Sequence, residues 1–138
     1  MNLKHFLLPF VFAAGVGLAG PAAAHGTDGT VKPNFSAAIP NIPGKSLIAV
    51  EVLYPPGGAT PAHSHAKSAF IYAYVVSGSI ASKVNDGPER VYKAGQTFSE
   101  APGSHHAVSR NASKTQPAKL LAVFVVDSTD TELTTIDK

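Results

Sequence analysis

Between residues 46 and 126 the apolar residues come in short runs, each cut off by glycine, proline, asparagine or aspartate. The runs predict strands at Leu47–Tyr54, Phe70–Val76, Ser79–Val84, Glu89–Tyr92, Gln96–Glu100, His106–Arg110 and Leu120–Val126. The separators PPGG (55–58), SG (77–78), NDGP (85–88), AG (94–95), APG (101–103) and KTQP (114–117) are turn chemistry. Glycine supplies positive φ, proline presets φ, and asparagine or aspartate bonds the local backbone. Asp86-Gly87 between two runs predicts a hairpin. Downstream of the first two dozen residues no stretch carries an apolar period of 3.6, so the pattern predicts an all-β fold, an antiparallel sandwich or barrel.

The opening MNLKHFLLPFVFAAGVGLAGPAAA has a different pattern: Lys4, an apolar run from Phe6 to Leu18, then Ala22-Ala23-Ala24 before His25. That is the layout of an export signal with an A-x-A cleavage site, and it predicts removal of residues 1–24 and a periplasmic or secreted location. Pro9 and several glycines interrupt the run, which argues against a membrane anchor. Residues 25–45 are rich in Gly, Pro, Asn and Ser and predict an extended lead-in to a single domain at 46–138.

Composition narrows the chemistry. The 138 residues include no cysteine, so disulfides, thiol nucleophiles and thiolate ligands are excluded, and any metal must be held by nitrogen and oxygen. The formal net charge is +2, Lys4 accounts for one unit of it, and no Lys/Arg cluster occurs. Such a chain has no electrostatic footprint for nucleic acid or an anionic membrane surface once the signal is gone, which leaves small molecules as the expected partners.

Four of the six histidines form two clusters, His63 with His65 and His105 with His106. In an extended backbone residues two apart share a face and lie about 6.5–7 Å apart, so His63 and His65 can address one small object. A strand-borne H-x-H with a distant third imidazole is a common way to hold a transition metal. An H-x-H pair by itself fits two surface histidines equally well.

The surroundings of both clusters resemble the cupin superfamily. Its first motif, Gly, five residues, H-x-H and a Gly closing the next turn, is similar to Gly57, His63-Ser64-His65 and Gly78. Its second, Gly, five residues, P-x-G, two residues, His, then Asn, is similar to GQTFSEAPGSHHAVSRN, where Gly95, Gly103, His106 and Asn111 match and Pro102 and Asn111 fall one place late. The resemblance implies a small jelly roll, the double-stranded β-helix, with His63, His65 and His106 binding one divalent transition metal: Fe, Mn, Ni, Cu or Zn. It implies pairing of two copies through edge strands, for which the lead-in could supply a strand. His105 faces away from His106 in an extended chain, and the spacing from Gly103 selects His106.

The glutamate of the first motif should fall near Phe70 or Ile71, and both are apolar. Glu100 is the candidate replacement, as fourth ligand or as a partner of the ligands; the competing reading is a bulge at Ala101-Pro102 that turns it to solvent. If it is no ligand, the site resembles three-histidine cupins, a group that includes thiol and diketone dioxygenases. Tyr54, Tyr72, Tyr74 and Tyr92 are candidates for the cavity wall, with Tyr72 and Tyr74 singled out, and with Glu100, as candidate catalytic groups. Ser64, Ser104 and Ser109 lie near the histidines without an acid in a triad arrangement, and His25 with a new terminal amine could chelate copper. The expected function is oxygen-dependent, dioxygenase-type chemistry on a small organic molecule. The alternatives are a non-catalytic metal- or ligand-binding module and a metal-free cupin using its histidines as acid and base.

Overall fold

The computed structural model describes residues 28–138; the predicted signal and His25 lie outside the described residues. In chain order the strands are β1 (Thr30–Ala38), β2 (Lys45–Tyr54), β3 (Ala59–Thr60), β4 (His63–His65), β5 (Phe70–Ser77), β6 (Ser79–Val84), β7 (Arg90–Lys93), β8 (Thr97–Glu100), β9 (His105–Asn111), β10 (Ala118–Asp127) and β11 (Thr134–Ile136). Among the described residues there is no helix. One sheet has the order β1-β2-β10-β5-β8; the other runs β11-β4-β9-β6-β7, with β3 also pairing β9. The named strands pair antiparallel throughout, as the short runs and tight turns predict.

Period-2 alternation sets the core. In β10 the residues Ala118, Leu120, Ala122, Phe124 and Val126 point inward, and in β5 Ile71, Ala73 and Val75 do the same. Side chains from both sheets meet in a cluster that joins Val52 and Tyr54 of β2, Val75 of β5 and Ile80 of β6. Each such aliphatic side chain, fully buried, contributes about 1.5–3 kcal/mol.

Three features differ from the sequence expectation. Part of the lead-in is a strand of the barrel: β1 pairs with β2 of its own chain from Thr30↔Leu53 to Ala38↔Ser46. It is exposed along its whole length and slips register between Pro33 and Phe35, so neither alternation nor an unbroken run marks it. An edge strand tolerates proline at a bulge because one side of its ladder is open. Second, Tyr72 and Tyr74, expected at the cavity, stand with Phe70 and Val76 on the outer face of β5. Third, the C-terminal β11 lies along β4, with Thr134↔His65 and Ile136↔His63.

The chain passes from one sheet to the other at Ser77-Gly78, and Gly78 has φ 73°. A Cβ there would meet Pro117 O at 2.6 Å and Ala118 Cα at 2.8 Å, both backbone atoms that cannot swing aside. Gly95 has φ 86° with open space around it. Gly78→Ala is expected to lower stability by roughly 2 kcal/mol or more, and Gly95→Ala by about 1 kcal/mol, the left-handed backbone cost alone. Urea denaturation of the two variants checks the difference; equal losses would mean that the close approach at Gly78 carries no energy.

Candidate metal centre

The registers of three strands explain how separated histidines converge. β4 pairs with β9 as His63↔His106 and Ser64↔His105. Cross-strand partners share a face, so His63, His65 and His106 all point into the barrel while Ser64 and His105 point away. Accordingly His105 is half-exposed and its Nε2 lies 2.8 Å from Asp137 Oδ2. The three inward rings are buried, with centroids 4.8 Å apart for His63 and His65, 5.2 Å for His63 and His106, and 6.0 Å for His65 and His106. One ring nitrogen from each can be chosen so that all three lie within 4.8 Å of one another, close enough for a single cation.

Glu100 arrives from the opposite sheet. It ends β8, directly across from Ile71 of β5, and is 3% exposed, so the chain does not turn it to solvent at Ala101-Pro102. Its Oε1 lies 3.3 Å from His106 Nδ1 and its Oε2 3.1 Å from His65 Nε2. The second contact lacks hydrogen-bond alignment: Glu100 Oε2 and both ring nitrogens of His65 are buried without a partner.

The remaining nitrogens are held by the fold. His63 Nδ1 donates to the Pro61 carbonyl at 2.8 Å, which leaves Nε2 as the lone-pair nitrogen. His106 Nε2 pairs with Ser82 Oγ at 2.8 Å, which turns Nδ1 toward Glu100. Burial lowers the His63 pKa, and the neighbouring His65 and His106 add to the effect against the Pro61 hydrogen bond and Glu100. A neutral imidazole is the form that binds metal. For Glu100, burial alone would raise the pKa, but the imidazoles of His106 and His65 beside it outweigh this and hold it at about 2.

These groups line a cavity of about 600 Å³ whose other walls are largely apolar, with Val50, Val52, Ile71, Leu120, Ala122 and Phe124 among them. The donors fit a divalent transition metal: three imidazoles, one carboxylate, and orphaned lone pairs aimed at the same space. Each unsatisfied buried group would otherwise cost about 1–3 kcal/mol.

Not all sequence candidates gather here. Tyr72 and Tyr74 are on the far side of β5, and Tyr92 packs against Phe98, ring centroids 4.8 Å apart. Asn111 Nδ2 donates to the carbonyls of Pro55 and Gln116 and its Oδ1 accepts from Ser113 N, so it ties turns together and does not touch the histidines. Ser104 Oγ donates to the Ala101 carbonyl. The tyrosine at the cavity is Tyr54, whose hydroxyl lies 2.7 Å from Ser109 Oγ and 3.4 Å from Thr60 Oγ1. Its position was legible in principle, since the charged Glu51 marks the outer parity of β2 and Tyr54 falls on the inner one. Ser82 carried no signal in SIASKV.

The carboxylate gives a pH prediction for the metal-free protein. Because the folded pKa of Glu100 lies below its ordinary value, ionised Glu100 stabilises the fold at neutral pH, and this is lost as pH falls through the interval down to about 2. The His63 pKa is likewise lowered, so its contribution is lost earlier, as pH falls below the ordinary imidazole range. Between about pH 5 and pH 2 the wild type should lose roughly 2–3 kcal/mol more than Glu100→Gln, which keeps the three imidazoles but lacks the carboxylate. Urea midpoints at several pH values check this; parallel losses would show that the carboxylate is not held ionised.

With this geometry in view, the cupin domain family matches residues 50–124 of the chain. Solved structures share the fold at low identity. A protein of Thermus thermophilus is 22% identical with a TM-score of 0.59, over 72% of this chain and 84% of that one. A Klebsiella pneumoniae protein described as having a double-stranded β-helix domain is 16% identical with a TM-score of 0.63, over 80% and 85%. Two similar structures are enzymes by name: the DMSP lyase DddQ of Ruegeria pomeroyi, 18% identical with a TM-score of 0.58 over 79% of this chain and 51% of that, and an oxalate oxidase, 24% identical with a TM-score of 0.55 over 83% and 59%. A comparison with curated protein sequences finds no match. The family match takes in His63, His65, Glu100 and His106 together with the strands that aim them, and the chain belongs to the cupin family.

Proposed function

We propose that the protein is an exported metal-dependent cupin enzyme that acts on a small organic molecule, with molecular oxygen as co-substrate. The observation that carries this is the convergence of His63, His65 and His106, with Glu100 beside two of them, in a largely apolar cavity with room for a ligand. His63 and His65 supply two nitrogens from β4, His106 a third from β9, and Glu100 either completes the set or orients His65 and His106. A cation held by three or four protein donors keeps positions for substrate and oxygen and acts as a Lewis acid or redox centre. The aliphatic walls exclude water from the reacting groups. Pro61 and Ser82 fix two of the imidazoles in orientation.

Support from related folds is of the same kind. The oxalate oxidase and the DMSP lyase show that enzymes are built on this architecture, although their identities to this chain carry the fold alone. The orphaned carboxylate oxygen beside His65 favours a catalytic or metal-binding role over a metal-free acid–base pair, in which the two would share a proton in line. Export follows from the first 24 residues, and the mature chain isolated from a periplasmic extract should begin at His25 by mass spectrometry. A full-length chain starting at Met1 and found in the cytoplasmic fraction alone would remove the export reading.

Replacing His106 by Ala should lower affinity for Co(II), Fe(II) or Mn(II) by at least tenfold, while His105→Ala, whose ring bonds Asp137 at the surface, should leave it within about twofold. Isothermal titration against each metal checks this, and equal effects would mean the wrong face has been assigned. For the reaction, Fe(II)-loaded protein should consume oxygen with a phenolic, diketone or thiol substrate. Tight metal binding with no uptake across such a panel would leave a binding module in place of an oxygenase.

A further inference from the structure

The cavity wall carries two kinds of polar group. One is the three histidines with Glu100; the other is Tyr54, Ser109 and Thr60, whose three hydroxyl groups lie together in a wall that is otherwise largely aliphatic. Their protons are unevenly used. Thr60 Oγ1 donates to the Ser109 carbonyl at 3.3 Å, and one proton makes the short 2.7 Å bond between Tyr54 and Ser109. The third has only the long 3.4 Å contact between Tyr54 and Thr60. This cluster keeps a donor and several lone pairs in reserve at a cavity whose other polar lining residues, outside the histidines and Glu100, are Thr131, Glu132 and Thr134.

The charges lining the cavity are as informative. Among the described residues the charged ones are Glu100 and Glu132, both acidic, and no lysine or arginine takes part. A divalent metal in that centre would be the one cationic group at the cavity, able to pair with one anionic group of a ligand. Nothing else in the cavity could neutralise a second, and Glu132, exposed at the rim, would repel it. Transfer of an unpaired anion into such walls is strongly unfavourable.

From this we infer that Tyr54, Ser109 and Thr60 form an oxygen-recognition subsite, and that the ligand is an organic monoanion whose anionic oxygen binds at the metal centre and whose second, uncharged hydroxyl or carbonyl oxygen is held by these three residues. The inference rests on the metal-centre reading above and deepens it. Burial, outweighing the hydrogen-bonding contacts with Ser109 and Thr60, raises the Tyr54 pKa and keeps the phenol protonated, able to donate. Dianions such as dicarboxylates and phosphate esters are excluded as good ligands. Tyr54 is a positioning residue here.

The test uses the whole mature protein loaded with Co(II), whose visible spectrum reports ligands entering the metal's coordination. Benzoate, the 2-, 3- and 4-hydroxybenzoates and terephthalate serve as probes. At least one hydroxybenzoate should bind about tenfold more tightly than benzoate, the worth of one uncharged hydrogen bond in an apolar site. Terephthalate should bind at least about tenfold more weakly than benzoate, since its second charge has no partner. Tyr54→Phe should abolish the hydroxybenzoate advantage while keeping benzoate affinity within about twofold, and Ser109→Ala should reduce that advantage in the same direction. A merely structural tyrosine would leave the ratio unchanged. The inference is overturned if no probe perturbs the spectrum, if every hydroxybenzoate behaves as benzoate does, if Tyr54→Phe weakens both alike, or if terephthalate binds best. A wild-type protein that develops no cobalt spectrum at all would overturn the metal-centre reading itself, an outcome distinct from the other four.

Discussion

A carboxylate 3% exposed inside an apolar barrel is the constraint around which the interior is organised. Burying an isolated carboxylate costs several kcal/mol or forces it to take up a proton. Glu100 offsets this through the imidazoles of His65 and His106 beside it, which come from the opposite sheet, so the contact also relates the two sheets at this level. The arrangement leaves Glu100 Oε2 and the nitrogens of His65 short of partners. Those unmet valences are a local cost in the metal-free protein that a bound cation would remove, so that any metal held here would stabilise the fold.

The supporting elements serve this centre in different ways. β4 is three residues long and could not hold its histidines alone; it is clamped between β9 and the C-terminal β11. The backbone around it is pinned as well, with Ala66 N bonded to Leu133 O and Asp137 N to Ala62 O. Removing the last residues would therefore expose one edge of the strand that carries two of the three imidazoles. The same segment contributes Leu133, Thr134 and Ile136 to the cavity wall, which makes the C-terminus part of the site although it lies beyond the motif-bearing region.

Much of this was legible in the order of residues, and the failures have physical causes. The breakers located the turns, and the period of two located β2, β5 and β10, because strong alternation or dense apolar runs survive in strands that meet the core. β1 was hidden because an exposed edge strand has no buried face to write a pattern, and Pro33 breaks its run. β3, β4 and β11 are too short for periodicity to show. In β5 the strand was plain but its parity was not: FIYAYVV is apolar on both faces, so nothing in it says whether Tyr72 or Ile71 looks inward. For β4 and β9 the histidines themselves supplied the parity, and a one-residue step separates inward His106 from outward His105.

The ambiguity in β5 and the unusual origin of the carboxylate have one geometric explanation. Ile71, where the resemblance leads one to look for glutamate, is the cross-strand partner of Glu100, and both side chains point into the barrel at the same level. Cross-strand neighbours have Cβ atoms about 4.5–5.5 Å apart, within the reach of a glutamate side chain, so exchanging the acidic residue between them keeps a carboxylate near the same imidazoles. What changes is its direction of approach, from β8 at the sheet edge rather than from β5 inside it. The aliphatic Ile71 then lines the cavity at the position on β5 where a carboxylate would otherwise stand. Placing the acid one strand over thus keeps a carboxylate beside His65 and His106 while changing the side from which it reaches them.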